Sequence, residues 1–413
     1  MARSKGRAMR AMHVVRIGAA VLLAGLALAR PAVAVSPAVA SAAAALSKPD
    51  PEAMLIDVYK ELGANHLRLA LSKADRLVEL YPNFRLGHLI RGDLLLMHTF
   101  PVATFGAVSG QDERLKNLRE EAMVRLKSLR ERPDPNLVPR SILQLRPDQK
   151  HALVVDAKRS RLYVYENRNG ELKFAADYYI SQGKLGVNKF KEGDQKTPIG
   201  VYYITGRLSG ERLPDFYGSG ALPINYPNEW DKVNGRSGSG IWLHGTPSDS
   251  YSRPPLSSDG CVVLTNPDLY RISTSVEIGK TPVVISENVE FVNKTKWEND
   301  RSMAARLLDN WRRDLETMDG GRILNHYSRQ FRSDHNENRD GWVAKQQQSL
   351  HGVRDLSVVL RDVTHFLYPG RDDMLVSTFT QDSFVGKSRS SLRKRQYWAR
   401  EGTTWRIVFE TNI

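Results

Sequence analysis

The sequence has 413 residues, a formal net charge of +14 at pH 7 and a single cysteine. A surface this basic suits an anionic partner such as an acidic polymer, lipid head groups or nucleic acid. The basic residues are scattered rather than interleaved with aromatic ones, so we expect no nucleic-acid partner. One cysteine excludes an internal disulfide, and scattered histidines add no zinc spacing, so we predict no metal and no cofactor.

The first 40 residues have the pattern of a secretory signal peptide. Basic residues without acidic ones precede a thirteen-residue apolar run at 17–29, which is too short to cross a bilayer comfortably. Small-residue sites follow at 32–34 and 38–40, and the lack of a cysteine after the run excludes lipoprotein processing. We therefore predict a signal peptide and lead-in over 1–40 and export to the periplasm or cell envelope. An uncleaved signal anchor is the alternative.

Residues 51–132 are predicted to be helical. Apolar residues recur at helical spacing from Leu67 to Leu80, a Tyr-Pro-Asn stop follows, and a second apolar helix fits 86–96. This helical hairpin resembles one tetratricopeptide-type pair. A single pair cannot bury its apolar face alone, so it must pack on another part of the chain or on a partner. A third, charged helix fits 112–132, and three prolines end it.

Between 149 and 286 the pattern changes to short strands separated by Gly, Pro and Asn turns. This pattern predicts a compact, mainly-β sandwich or barrel-like domain with few helices. The strands are expected at 152–156, 161–166, 172–180, 200–206, 241–244 and 282–285. The glycine-rich segment 235–240 lacks the Gly-Lys-Ser/Thr ending of a phosphate loop, so we assign it no nucleotide role.

The tail, 299–413, begins with an amphipathic helix over 300–318. Strand-like runs follow at 355–366, 374–380, 391–398 and 403–409. One helix followed by a curled antiparallel sheet predicts an α+β cone. The predicted fold class is therefore multidomain, with an N-terminal α-helical hairpin region, a mainly-β central domain and a C-terminal α+β cone.

Cys261 is the residue most suggestive of chemistry. It follows Ser258-Asp259-Gly260 and lies seventeen residues after His244. A thiol attacks a carbonyl only as thiolate, so it needs a base, and His244 is the best candidate. A buried, inert thiol is the alternative. An idle thiol in an oxidising compartment is a liability, which favours a chemical role.

The segment 151–286 resembles the L,D-transpeptidase catalytic domain of the YkuD type. The resemblance rests on LVVDAKRSRLYVYE near its start, ISQGKLG at 180–186, EGDQKTPIGVYYI at 192–204, HG at 244–245 and SDGCVVLTN at 258–266. These motifs occur in the family's order and spacing across about a third of the chain. The combined set is much more specific than a lone Ser-x-Gly-Cys.

The resemblance implies a role for each matching residue. Cys261 is the nucleophile, His244 takes its proton, and the backbone carbonyl at Gly245 orients the ring. The N–H groups of Gly260 and Cys261 match the oxyanion-stabilising position, where fixed donors are worth about 3–4 kcal/mol. Ser258 and Asp259 are predicted to contact substrate, although Ser258 is equally well explained as a serine that holds the turn.

Two positions depart from the family pattern. Asp259 stands where many members carry a second histidine, and Val263 stands where many carry an arginine. Thiol chemistry needs neither side chain, but substrate preference can differ. We expect Asp259 to be structural or substrate-facing rather than a general base, and its charge would oppose thiolate formation if it lay close to the sulfur.

The tail resembles the nuclear-transport-factor-type cone domain of some exported transpeptidase relatives. The matching segments are HYSRQF at 326–331, STFTQDSF at 377–384 and WRIVFE at 405–410. Cones of this type often bind a ligand or dimerise. The resemblance therefore implies an accessory module and allows a homodimer formed through it.

Three functions fit the sequence. The first is an L,D-transpeptidase, in which Cys261 forms an acyl-thioester from a peptidoglycan stem and passes it to an amine of a neighbouring stem or of a wall-anchored protein. The second keeps the thiol but uses water, as a carboxypeptidase or amidase. The third is a non-catalytic protein that binds the cell wall through its flanking modules.

Overall fold

The computed structural model describes residues 48–99, 113–349 and 355–413. The predicted signal peptide lies outside these residues. Within the described ranges, no helix is both long and apolar enough to cross a membrane.

The N-terminal region is a small helical domain. Its helices are α1 (Pro51–Gly63), α2 (Leu67–Leu80), α3 (Arg85–Met97) and α4 (Glu113–Arg130). The Asp50 carboxylate accepts the Glu52 N–H and Pro51 occupies the first position, which starts α1. The apolar faces of the four helices form one buried cluster, which Tyr251 of the central domain joins. The helical hairpin therefore covers its apolar face within its own chain.

A linker and a mainly-β central domain follow. In chain order their strands are β1 (Val138–Pro139), β2 (Ile142–Gln144), β3 (His151–Asp156), β4 (Arg161–Arg168), β5 (Glu171–Tyr179), β6 (Gln182–Gly183), β7 (Gly200–Tyr203), β8 (Leu208–Ser209), β9 (Gly220–Pro223), β10 (Trp242–His244), β11 (Leu256–Ser258), β12 (Val262–Val263), β13 (Pro282–Ser286) and β14 (Phe291–Val292). Two helices interrupt them, α5 (Glu229–Val233) before β10 and α6 (Asn266–Ser275) before β13.

Two sheets of the central domain pack face to face. The larger has the strand order β5-β4-β3-β13-β7, and the smaller has the order β12-β10-β9-β8. Leu153 and Val155 of β3 point into the core between the sheets. Ala152 and Val154 alternate with them and pack in a second core on the opposite face. Burial on both faces explains why β3 reads as an almost continuous apolar run.

The C-terminal domain is an α+β cone that supplies this second core. Its elements are α7 (Lys294–Glu316), α8 (Gly320–Asn325), β15 (Tyr327–Ser333), α9 (Arg339–Ser349), β16 (Leu356–Leu367), β17 (Met374–Val385), β18 (Ser388–Glu401) and β19 (Thr404–Asn412). Its sheet has the order β15-β19-β18-β17-β16-β2, so the linker strand β2 completes it at one edge. The cone therefore covers the face of the large sheet that points away from the smaller sheet.

The predicted fold class is confirmed by this architecture. Within the central domain the six predicted strands lie close to their predicted positions, whereas the two helices α5 and α6 and the short strands β6, β8, β9 and β11 had no counterpart in the prediction. In the cone the helix begins earlier than predicted, at Lys294, and the four strands extend by up to five residues beyond their predicted ends. The exchange of β2 into the cone sheet was not predicted either.

Candidate active site

The parallel pairing of β10 and β12 brings the two predicted catalytic residues together. Leu243 lies opposite Val262 and His244 opposite Val263. Leu243 and Val262 both point into the core between the sheets. Because side chains alternate along a strand, His244 and the residue just before β12, Cys261, lie together on the other face.

The turn that carries Cys261 is held by its own hydrogen bonds. The Ser258 hydroxyl donates to the Cys261 carbonyl at 2.6 Å and accepts the Gly260 N–H at 3.1 Å. Gly260 has a φ of +130°, and a Cβ there would approach the Lys196 carbonyl oxygen to 2.7 Å. Only glycine fits this close approach without strain.

These bonds bear on two predicted site residues. Ser258 is buried and its hydroxyl is used inside the turn, which fits the turn-holding role, and its contact with substrate remains a prediction. The Gly260 N–H donates to Ser258, so an oxyanion would have to compete with that hydroxyl for it. The predicted oxyanion donors Gly260 and Cys261 remain a prediction.

His244 has a defined tautomer. Its Nδ1 lies 2.7 Å from the Gly245 carbonyl oxygen, which can only accept, so Nδ1 carries the proton and Nε2 is left as the basic nitrogen. The ring is 1% exposed, and burial lowers the pKa of His244 to about 4. His244 is therefore a neutral base at physiological pH.

Cys261 is half-buried, and its sulfur has backbone partners. The Trp242 N–H donates to Sγ at 3.4 Å, and the thiol donates to the Gly240 carbonyl at 3.4 Å. Burial raises the pKa of Cys261, and the Asp259 charge acts in the same direction. The resting site is thus a neutral thiol beside a neutral imidazole, and proton transfer must accompany attack.

Asp259 lies on the surface beside the nucleophile. Its carboxylate is 2.9 Å from the Lys184 Nζ and 3.1 Å from the Gln195 Nε2. The hydrogen bond from Lys184 lowers the pKa of Asp259, so the group is a carboxylate at neutral pH. The exposed position is compatible with the predicted contact with substrate.

Asn266 braces the base and was missing from the sequence prediction. Its Oδ1 accepts the N–H groups of Ser219 at 2.8 Å and Thr246 at 3.2 Å, and its Nδ2 donates to the Thr246 carbonyl at 2.9 Å. A Cβ at Gly245 would collide with this amide. The signal was in the sequence, since Asn266 closes the SDGCVVLTN motif, but its contacts depend on the tertiary fold.

An aromatic and cationic rim was also missed. The rings of Phe216 and Tyr217 lie 5.7 and 5.1 Å from the His244 ring. The Arg253 guanidinium lies over Phe216, 4.3 Å from the ring centre. The positive charge of Arg253 acts to lower the pKa of both His244 and Cys261. Prolines 254 and 255 were the one local sign that the chain holds this arginine in a fixed place.

The helical region contacts the loop that carries Arg253. The Ser252 hydroxyl donates to the buried Glu121 carboxylate at 2.7 Å. Tyr251 packs between Tyr81 and Phe84, with ring centres 5.5 and 4.8 Å away. The rim of the site is thus built on two domains.

Comparisons with known proteins agree with this geometry. Residues 150–285 match the model of the L,D-transpeptidase catalytic domain (YkuD), and residues 303–411 match that of the Cds6 C-terminal NTF2-like domain. No curated protein sequence matches the chain.

Two solved structures share most of the chain's architecture. Bd1075 from Bdellovibrio bacteriovorus is 28% identical, with a TM-score of 0.59, over 67% of this chain and 98% of that one. The helical cell shape determining protein Pgp2 from Campylobacter jejuni is 23% identical, with a TM-score of 0.57, over 71% of this chain and 99% of that one. At 23% identity, the similarity to Pgp2 shows that the two proteins share a fold. Both predicted resemblances are confirmed, and the protein carries a YkuD-type L,D-transpeptidase catalytic domain followed by an NTF2-like domain.

Proposed function

We propose that the protein is an exported cysteine acyltransferase of peptidoglycan that forms an acyl-thioester on Cys261. The observation that carries this proposal is the fixed tautomer of His244, which leaves a basic Nε2 on the strand paired with the one that follows Cys261. The similarity to a cell-shape protein, Pgp2, supports a substrate in the cell wall. Export is supported by the signal-peptide pattern of the sequence.

The first half-reaction follows from the neutral pair. As Sγ attacks the carbonyl carbon of the third stem residue, its proton passes to Nε2 of His244. The carbonyl oxygen becomes an oxyanion, for which the backbone N–H of Cys261 is the proposed donor. The intermediate then collapses, the C–N bond breaks, and the leaving amine of the terminal D-Ala takes the proton from His244.

The second half-reaction reverses these steps with a new acceptor. An amine of a neighbouring stem or of a wall-anchored protein attacks the thioester carbonyl and gives a proton to His244. The C–S bond breaks, and the thiolate recovers that proton. The product is a new amide, as the transpeptidase reaction requires.

Water is the second candidate acceptor, and one observation favours it. An acceptor amine is largely an ammonium ion at neutral pH, and the Arg253 guanidinium, whose charge acts on the sulfur, repels a cation. Water carries no charge and meets no such barrier. The protein would then be an L,D-carboxypeptidase that trims the stem.

Incubation of the purified protein with sacculi, followed by mass spectrometry of the released muropeptides, tests the proposal. New cross-links identify an amine acceptor, and shortened stems without new cross-links identify water. Cys261→Ala should abolish either product, while Ser257→Ala, a nearby change outside the turn's hydrogen bonds to Cys261, should retain it. Unchanged muropeptides with the wild-type protein would leave only the non-catalytic alternative.

A further inference from the structure

Arg253 is a cation whose charge acts on the Cys261 sulfur, and none of the described carboxylates forms an ion pair with it. Its guanidinium lies on the Phe216 ring, and Nη2 donates to the Phe216 carbonyl at 3.4 Å. Among residues 48–99, 113–349 and 355–413, no carboxylate lies within ion-pair distance of it. A half-buried arginine without a counter-ion loses hydration and gains no ion pair, unless an anion arrives with a ligand.

The other cation that acts on the sulfur, Lys189, and the cation next to Asp259, Lys184, both have acidic partners. Lys184 forms an ion pair with Asp259 at 2.9 Å. Lys189 is buried and forms one with Asp194 at 2.8 Å. Among the described cations that act on the Cys261 sulfur, Arg253 is therefore the one left without an acidic partner and available to a ligand.

The backbone holds Arg253 in place before any ligand binds. Its carbonyl accepts the Tyr179 hydroxyl and the Ser181 hydroxyl, both at 2.9 Å. Thr246 closes the loop through hydrogen bonds to the carbonyls of Ser250 at 2.9 Å and Tyr251 at 3.2 Å. A fixed backbone and a guanidinium already placed on the Phe216 ring lower the entropic cost of binding an anion.

We propose that Arg253 binds the free carboxylate of the residue that leaves, so that the site accepts stems that end one residue after the scissile bond. This inference rests on the proposed function. In such a stem the terminal carboxylate belongs to the leaving residue, whose nitrogen is bonded to the carbonyl carbon that Cys261 attacks. The carboxylate therefore lies close to Cys261 when the stem is bound. A planar guanidinium suits it because both carboxylate oxygens can accept a hydrogen bond. Arg253 would also supply the cation that Val263 does not.

The test uses two synthetic stem tetrapeptides that differ only at the C-terminus, one with a free acid and the other with a primary amide. We expect the wild-type protein to release the terminal residue from the acid with a kcat/KM about 10- to 100-fold higher than from the amide, since hydrogen bonds to a charged group are of that strength. Arg253→Gln should lose this preference, because the change should slow release from the acid far more than release from the amide. Arg253→Lys should restore part of it.

Binding provides a measurement that does not need turnover. In a Cys261→Ala background, the acid peptide should bind more tightly than the amide in calorimetry, and Arg253→Gln should make the two affinities equal. Lys184→Gln, which changes a cation that already has a partner, should keep the preference. Equal affinities with Arg253 intact would overturn the inference, as would a preference that survives in Arg253→Gln. A third outcome separates the two proposals. If the acid peptide binds more tightly than the amide but the wild-type protein turns over neither peptide, the proposed chemistry is refuted and the role of Arg253 is retained.

Discussion

The helical region and the cone attach to the catalytic domain in comparable ways but at different places. Each interface contains a buried arginine that forms an ion pair with a glutamate, Arg125 with Glu121 in the helical region and Arg395 of the cone with Glu229 of α5. The helical region reaches the loop that carries Arg253. The cone instead covers the outer face of the large sheet. We therefore expect different consequences: loss of the helical contact should disturb the substrate recognition proposed for Arg253, and loss of the cone contact should disturb the sheet.

The largest expected effect comes from Glu121→Ala. This change leaves the Arg125 guanidinium, whose side chain is 3% exposed, with Glu52 at 3.5 Å and the rings of Tyr179 and Phe84. Breaking a buried pair from one side costs about 3–5 kcal/mol. It also removes the partner of Ser252, so we expect KM for the acid tetrapeptide to rise. Urea denaturation and steady-state kinetics measure the two effects.

Glu229→Ala is the matched change at the cone interface. It leaves Arg395, which is also buried, without its carboxylate, and we expect a loss of unfolding free energy of similar size, about 3 kcal/mol. KM and kcat of the folded fraction should stay at the wild-type values. A Glu229→Ala protein with a raised KM would refute the division of roles between the two modules.

Aromatic contacts give a second pair of variants. Tyr251 is buried against Tyr81 and Phe84, and Trp230 stacks on Tyr397 of the cone with ring centres 4.7 Å apart. We expect each alanine variant to lose about 3 kcal/mol of unfolding free energy, as large aromatic side chains do when truncated. Only Tyr251→Ala should weaken the preference for the acid peptide. Equal preferences in the two variants would contradict the comparison.

The pH dependence of stability and of activity should distinguish two buried histidines, one in the catalytic domain and one in the cone. Burial lowers the pKa of His244 in the catalytic domain and of His365 in the cone to about 4, from an ordinary value of 6.5. Between pH 6.5 and 4 the unfolded chain therefore binds more protons at these sites than the folded one, and their contribution to stability falls as the pH falls.

A difference between variants isolates each histidine, because Asp231 and Asp268, whose pKa values burial raises to about 6, act with the opposite sign. We expect His365→Asn to flatten the pH dependence of the unfolding free energy in this window. The acid limb of kcat/KM, which reports the free base His244, should stay near pH 4 in that variant. If the acid limb of the kcat/KM profile shifted in His365→Asn, the result would show that the cone influences the pKa of His244.

The sequence allowed some of the site to be predicted, for a physical reason. His244 ends the short strand β10, Cys261 immediately precedes the short strand β12, and the glycine before the thiol fixes a turn that appears in the sequence as a local motif. The spacing between His244 and Cys261 in the sequence therefore reflects the pairing of β10 with β12. The fold class was predictable too, since helical and strand periodicities change at the linker.

Other parts depend on contacts that local patterns do not record. Arg253 and Phe216 lie on separate loops and meet only through the fold. Asn266 was visible in a motif, but its role as a brace depends on Ser219, a residue 47 positions away. The three residues of β2 are too few to show a period, so their exchange into the cone sheet had no signal.

The smallest expected effect tests the loop contact without disturbing a buried charge. Ser252→Ala removes one hydrogen bond, from the hydroxyl to Glu121, while Glu121 keeps Arg125 at 3.0 Å. We expect a loss of about 1 kcal/mol in unfolding free energy. Because Arg253 is the next residue, KM for the acid peptide should rise a few-fold while kcat and the KM for the amide stay constant. Ser248→Ala, at the exposed end of the same loop, is the control, since its hydroxyl contacts Asp215 rather than the helical region. A Ser252→Ala protein with unchanged KM for both peptides would show that the helical region stabilises the loop without guiding Arg253.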